Sequence, residues 1–253
     1  MSDAPNPLDM MINEMISRTP EKRKISLLGK TFWQYPTVFD SEFTYQGCEF
    51  LALEVSQIVR KELSQRNDQE VFDMLEIGSG TGHASIEVAL SFDQCRIWAT
   101  DINPQAIENT LENAKLHSVA DRVQAYLGDV YDAPQIRNKQ FDLIFWSFPF
   151  VPASGPNGGQ EGVHLDPLVR GLVDPGYNGL RDYLAGARAH LKKDGRILLA
   201  FSFELGSEHL LKKIMEEVGW SYKVLAEAEV ELSFTIFPMS MKNKVQLLEA
   251  VCQ

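Results

Sequence analysis

From about residue 69 onward, short unbroken apolar runs alternate with stretches in which apolar residues recur every three or four positions. That is the rhythm of buried parallel strands joined by amphipathic helices. It predicts strands over 71–77, 95–100, 123–127, 141–146, 196–203, 221–226 and 244–251, with helices over 82–92, 104–117, 179–192 and 207–218. Asn103-Pro104 marks one helix start, because proline in a first turn gives up no hydrogen bond. Val230 to Met241 reads as a hydrophobic insertion ahead of the last strand. The expected fold class is α/β: a doubly wound, Rossmann-like, seven-stranded sheet.

Ahead of it, residues 1–68 read as a short N-terminal helical appendage, with Leu8, Met11, Ile12, Met15 and Ile16 at helical spacing and the same pattern from Cys48 to Leu63. Between these helices, Thr31 to Phe39 carries four rings in eight residues, too aromatic for an ordinary solvent loop, and is expected to pack as a lid over residues 69–253. A second irregular stretch, Pro152 to Tyr177, is rich in glycine and proline. Loops of that length inside a compact domain are usually lids or binding loops.

With 253 residues the chain can bury one large core. It carries 24 basic against 35 acidic residues, a formal charge of −11, which repels a phosphate backbone and makes nucleic acid a poor partner. No apolar run is long enough to span a bilayer, and Met1 to Met10 lacks the basic-then-apolar pattern of a signal, so the expected location is cytoplasmic, with no membrane partner. Cys48, Cys95 and Cys252 are odd in number and widely spaced, so no metal site is expected. Oligomeric state has no signal in the sequence.

The chemistry concentrates where strands end. Gly78-Ser79-Gly80-Thr81-Gly82 follows the run Val71 to Ile77 directly, and such a bend brings backbone and free helix N–H groups close to a ligand. Asp101 closes the next strand and Gly128-Asp129 the one after, so three strand ends line one crevice of an open sheet. A carboxylate in the second position suits a ribose diol. A dinucleotide fingerprint would need its third glycine three places after the second, where His83 stands instead.

Glu76-Ile77-Gly78-Ser79-Gly80-Thr81-Gly82, Asp101 and Gly128-Asp129-Val130 resemble the first three motifs of class I S-adenosylmethionine-dependent methyltransferases. The resemblance implies S-adenosylmethionine as cofactor, with Glu76, Gly78, Gly80 and Gly82 around its methionine part. It places Asp101 on the ribose, Asp129 on the adenine amino group, and Ile102 and Val130 against the ring. Residues 71–251, about seven tenths of the chain, look most like the release-factor glutamine methyltransferases, through Gly176-Tyr177-Asn178-Gly179-Leu180 and Gly195-Arg196-Ile197-Leu198-Leu199.

In the amino-methylating branch of that family the fourth strand ends in Asn or Asp, two prolines and an aromatic residue. Here the stretch is Ser147-Phe148-Pro149-Phe150. A hydroxyl has one donor and less reach than an amide, so Ser147 cannot grip a substrate amide at two points. That change, the acidic surface and a short N-terminal region point to a small-molecule acceptor, as in specialised metabolism. Ser147 is expected to contact both cofactor and acceptor. Phe148, Phe150, Tyr177 and Tyr35 are candidates to face the sulfonium, and His164 in the long loop is the candidate base. Two other readings stay open: a cyclase that turns the cofactor itself into azetidine-2-carboxylate and methylthioadenosine, and a silent cofactor-binding module.

Overall fold

A computed structural model describes residues 7–18, 21–67, 70–152, 167–234 and 240–252. Its elements in chain order are α1 (Pro7–Arg18), β1 (Arg23–Leu27), β2 (Lys30–Gln34), α2 (Tyr45–Leu63), β3 (Phe72–Ile77), α3 (His83–Ser91), β4 (Cys95–Asp101), α4 (Pro104–Leu116), β5 (Val123–Leu127) and β6 (Phe141–Trp146). There follow α5 (Pro167–Arg170), a 3-10 turn (Pro175–Tyr177), α6 (Asn178–His190), β7 (Leu191–Phe201), α7 (Glu208–Glu217), β8 (Trp220–Ser233) and β9 (Ser240–Cys252).

The central sheet has seven strands in the order β5-β4-β3-β6-β7-β9-β8. The first four pairings are parallel and the last two antiparallel, so β9 alone runs against the others. Strand alternation splits the core between the two faces. On β6, Leu143 and Phe145 join one cluster with α2 and α3, while Ile144 and Trp146 join another with α6 and α7. Burial on both sides is why these strands read as unbroken apolar runs. The strand order reverses between β3 and β6, and the carboxyl ends of the strands open there.

The expected Rossmann-like sheet is present, with three differences in detail. The N-terminal region is not all helix: residues 23–34 form an antiparallel hairpin, β1–β2. Nor does α2 stand apart, since Leu51, Ala52, Val55 and Val59 belong to the sheet's own core. Both flanks of the stretch expected as an insertion are strand, β8 running on to Ser233 and β9 starting at Ser240. The reason lies in the alternation of buried Val230 and Leu232 with exposed Glu227, Glu229 and Glu231, a period of two that overall hydrophobicity conceals.

A third, smaller cluster caps the open end of the sheet, gathering Met10, Met11 and Met15 of α1, Phe43, Leu168 and Leu172 around α5, and Leu232 and Phe234 from β8 and just beyond it. Ion pairs tie it down: Arg18 and Arg23 both reach the buried Asp40 carboxylate, at 2.9 and 2.8 Å. The hairpin is pinned to the sheet by Asn113, fully buried on α4. Its Oδ1 accepts the Trp33 N–H (2.7 Å) and its Nδ2 donates to the carbonyls of Trp33 (2.8 Å) and Thr81 (2.9 Å).

Truncating Asn113 leaves the Trp33 N–H and the buried Thr81 carbonyl without this partner, while the Trp33 carbonyl keeps the Asn109 amide at 2.7 Å. We expect Asn113→Ala to destabilise the fold by about 1–3 kcal/mol, read as a lower urea midpoint at unchanged slope.

Candidate active site

At the end of β3 the chain turns through three left-handed glycines, with φ of +65° at Gly78, +53° at Gly80 and +76° at Gly82. Two of them also lack room for a side chain. A Cβ on Gly78 would sit 2.8 Å from Trp146 Nε1, and one on Gly82 2.8 Å from Thr110 Cγ2. The Asp101 carboxylate holds the bend from the neighbouring strand: Oδ2 accepts the Gly80 N–H (3.0 Å) and Oδ1 the Asn103 N–H (2.9 Å). Burial raises its pKa, and the backbone donors oppose the rise.

Glu76 is 2 % exposed. Its Oε2 accepts from the backbone N–H of Ser85 (3.1 Å) and from the Ser85 hydroxyl, which anchors the start of α3. The other oxygen has no partner among the described residues and belongs to a side chain lining the cavity. Burial pushes the carboxyl up to about 7, against the pull of the Ser85 donors. At the far side Asp129 stands exposed at the cavity lip, 3.9 Å from the Arg170 guanidinium. Val130, a β-branched residue, is held at φ +47°, a conformation that costs on the order of 1–3 kcal/mol, and Thr100 Oγ1 donates to its carbonyl at 3.0 Å.

Glu76, Gly78, Gly80, Asp101, Ile102, Asp129, Val130, Ser147, Phe148 and Phe150 thus line one cavity. Ser147 is exposed within it, and Ile102 is 37 % exposed. Phe148 is nearly buried, edge-on to Trp146 and Tyr177.

Three expected residues do not line the cavity. The Tyr35 hydroxyl donates to Glu112 on α4 (2.6 Å), and Gly82 faces Thr110. Tyr177 is fully buried, donating to the Phe150 carbonyl and accepting the Ser207 N–H (2.8 Å), so it braces the wall from behind. His164 lies outside the described residues.

Of the roof, Val38 comes from the stretch 31–39 and Arg170 from the long loop 152–177, both expected as lids. Ser41 and Cys48 of the N-terminal region and Val230, Leu232 and Asn243 of the β8–β9 hairpin also line it and were not expected there. His83 also lines the cavity, with Nδ1 2.9 Å from Thr81 Oγ1, and burial pushes it down to about 4, which keeps it neutral at physiological pH.

Strand order, glycine bend and strand-end acids define a Rossmann-like transferase site of the methyltransferase kind. The chain belongs to the methyltransferase-domain family, whose sequence profile matches residues 69–216. It is similar to the release factor glutamine methyltransferase of Aquifex aeolicus, 32 % identical over 152 residues that cover 56 % of this chain and 50 % of that protein. The chain thus spans about half the length of that relative. Among solved structures it superposes on an Agrobacterium tumefaciens SAM-dependent methyltransferase with a TM-score of 0.54 at 17 % identity, covering 92 % of this chain and 70 % of that one. A methyltransferase named SMU.776, solved complexed with SAH, gives 0.54 at 11 % identity, covering 90 % and 56 %.

The residues present fit S-adenosylmethionine: Glu76 lines the cavity with one carboxylate oxygen that has no partner among the described residues and suits a cationic group, and at Gly80 the bend leaves space, a Cβ there meeting nothing nearer than Val38 Cγ1 at 3.9 Å.

Glu76 generates a pH prediction. Its folded pKa, about 7, lies above its ordinary value of 4.5, so the protonated form is favoured by folding. The associated stability is complete below the ordinary value and is lost as pH rises through about 7. In the absence of cofactor, wild type should lose stability relative to Glu76→Gln between pH 5 and 8, measured as the difference in urea midpoints across that range.

Proposed function

We propose that this enzyme methylates a small, largely apolar acceptor enclosed between the end of β6 and the roof. The observation that carries the reading is the composition of that roof. Val38, Phe39, Leu51, Val230, Leu232 and Val245 give the cavity a mostly apolar lining beyond its strand-end acids, and an apolar pocket of this kind suits a compact molecule better than a polypeptide segment. Ser147, in the position where the glutamine-methylating enzymes have an amide, supports it further.

When bound, S-adenosylmethionine supplies an electrophilic methyl group on a cationic sulfur. The protein's task is to hold and align the two reactants while keeping water out. Positioning of this sort lowers a barrier by about 7–11 kcal/mol in favourable cases. In our reading Asp101 accepts the ribose hydroxyls with the lone pairs left over from Gly80 and Asn103, and Asp129 accepts from the adenine amino group. Ile102 and Val130 flank the ring. Glu76 takes the methionine ammonium on its free oxygen. Phe148 and Phe150 present aromatic surface beside Ser147, worth about 0.5–2 kcal/mol each toward a cation. The chemistry so supplied would be methyl transfer to an acceptor atom held beside Ser147, Phe148 and Phe150.

Purified protein incubated with S-adenosylmethionine and a panel of small phenols and amines should form S-adenosylhomocysteine and a methylated product. Methylation of a release-factor glutamine instead would replace the proposal with the relatives' activity. Methylthioadenosine formed without any acceptor would replace it with intramolecular cyclisation.

Asp101→Ala should weaken S-adenosylmethionine binding by about 1.5–3 kcal/mol, the scale of a charge-assisted hydrogen bond, as titrated by calorimetry. Unchanged affinity would remove Asp101 from the ribose.

A further inference from the structure

The roof contains one polar side chain that the fold does not use up. Asn243 is 3 % exposed, sits near the start of β9 and lines the cavity. Its Oδ1 accepts from the Ser202 hydroxyl at 2.7 Å. That hydroxyl in turn accepts the Leu205 N–H at 3.3 Å. Since a serine hydroxyl has a single proton, and the proton is directed to Asn243, the amide is oriented with its oxygen toward Ser202 and its NH2 group toward the cavity. The NH2 group has no protein partner among the described residues, and it is not sealed from the cavity.

An amide donor that opens onto a ligand cavity is met there by water or by an acceptor on the ligand. Its described neighbours on the hairpin offer no side-chain acceptor. Val230 is its cross-strand partner, and Val245 and Leu232 are the adjoining cavity residues. Asn243 is also remote from the cofactor side. The strand carrying it is separated from β3 by β6 and β7, and the register pairs Gln246 with Phe201, so Asn243 lies three residues beyond the last paired residue of β7, toward the roof.

We infer that Asn243 is a specificity-determining residue for the acceptor, and that the acceptor carries a neutral carbonyl oxygen on an apolar body. The inference rests on the small-acceptor reading above and names its substrate class. A neutral carbonyl fits better than a carboxylate. Arg170 is the cation on this cavity's wall and stands against Asp129 at the opposite lip, so a carboxylate beside Asn243 would be a buried charge without a counter-ion. The carbonyl accepts from the amide NH2, while the apolar body fills the space between Val230, Leu232 and Phe150. The nucleophile is then left at the Ser147 end.

The test compares two probes of equal length, 4-(4-hydroxyphenyl)butan-2-one and 4-butylphenol, which differ by a carbonyl in place of a methylene. Binding of each to the S-adenosylhomocysteine-loaded protein is titrated by calorimetry for wild type, Asn243→Leu and Asn243→Asp. The ratio of ketone to alkane affinity isolates the hydrogen bond from general hydrophobicity. We expect this ratio to fall about tenfold in both variants, with affinity for S-adenosylhomocysteine unchanged. Asn243→Asp keeps the bond to Ser202 while replacing the donor with an oxygen, so it decides the matter if Asn243→Leu does not fold. A ratio equal to wild type in the folded variants overturns the role of Asn243 and leaves the small-acceptor reading standing. Failure of both probes to bind wild-type protein that does bind S-adenosylhomocysteine overturns both.

Discussion

The carboxylate of Asp101 joins two strand ends into a single site. It accepts the Gly80 N–H from the bend after β3 and the Asn103 N–H at the start of α4, which fixes the glycine bend against the neighbouring strand. Without that tie, three left-handed residues in a five-residue stretch would sample many conformations, because glycine carries the largest backbone entropy of any residue. The bend is held from its other side too. Asn113 takes the Thr81 carbonyl, and Thr110 Oγ1 meets both Ser79 Oγ (3.0 Å) and the Gly80 carbonyl (3.1 Å). A flexible sequence has therefore been made into a rigid surface by polar groups on α4, so a ligand arriving there meets a shape already formed, with less ordering entropy still to lose.

Electrostatics follow the same division. Acids gather where a cationic cofactor would lie, and burial holds three of those near the cavity above their ordinary range: Asp101, Glu76 at about 7 and Asp174 at about 6. Asp174 is spoken for, since it accepts the N–H groups of Gly179 and Leu180 and so begins α6, which backs the cavity wall. Glu76 keeps one oxygen open to the cavity. A raised pKa at Glu76 means that the empty site resists negative charge, and a bound cation relieves that resistance by pairing with the carboxylate.

Much of this was legible in the chain itself. The parallel strands β3 to β7 are apolar runs buried on both faces, and the cofactor half follows from motifs that sit at their ends, because a strand end is a local property of sequence. What was hidden depends on contacts between distant segments. Tyr177 and Phe150 lie 27 residues apart, and only their hydrogen bond reveals that Tyr177 braces the wall and does not face the ligand. Tyr35 is directed outward by Glu112, 77 residues further along the chain. The extended β8–β9 hairpin was obscured because Val230, Leu232 and Phe234 look like a hydrophobic patch until their alternation with glutamates is counted.

Strand order then explains why the cavity has two chemically different ends. The bend and the acids occupy β3, β4 and β5, on one side of the reversal point, where parallel crossovers leave helix starts and backbone donors pointing at the opening. The other side is built from β6, β7 and an antiparallel hairpin, and a hairpin brings no helix N-terminus with it. What it brings is a long two-stranded ribbon that can rise past the end of the sheet and fold over the opening, as Val230 and Leu232 do opposite Asn243 and Met241. The strand-end acids therefore lie at the β3–β5 end of the sheet. At the hairpin end, in the reading proposed above, discrimination would fall to apolar shape and to polar side chains such as Asn243, which Ser202 holds in one orientation.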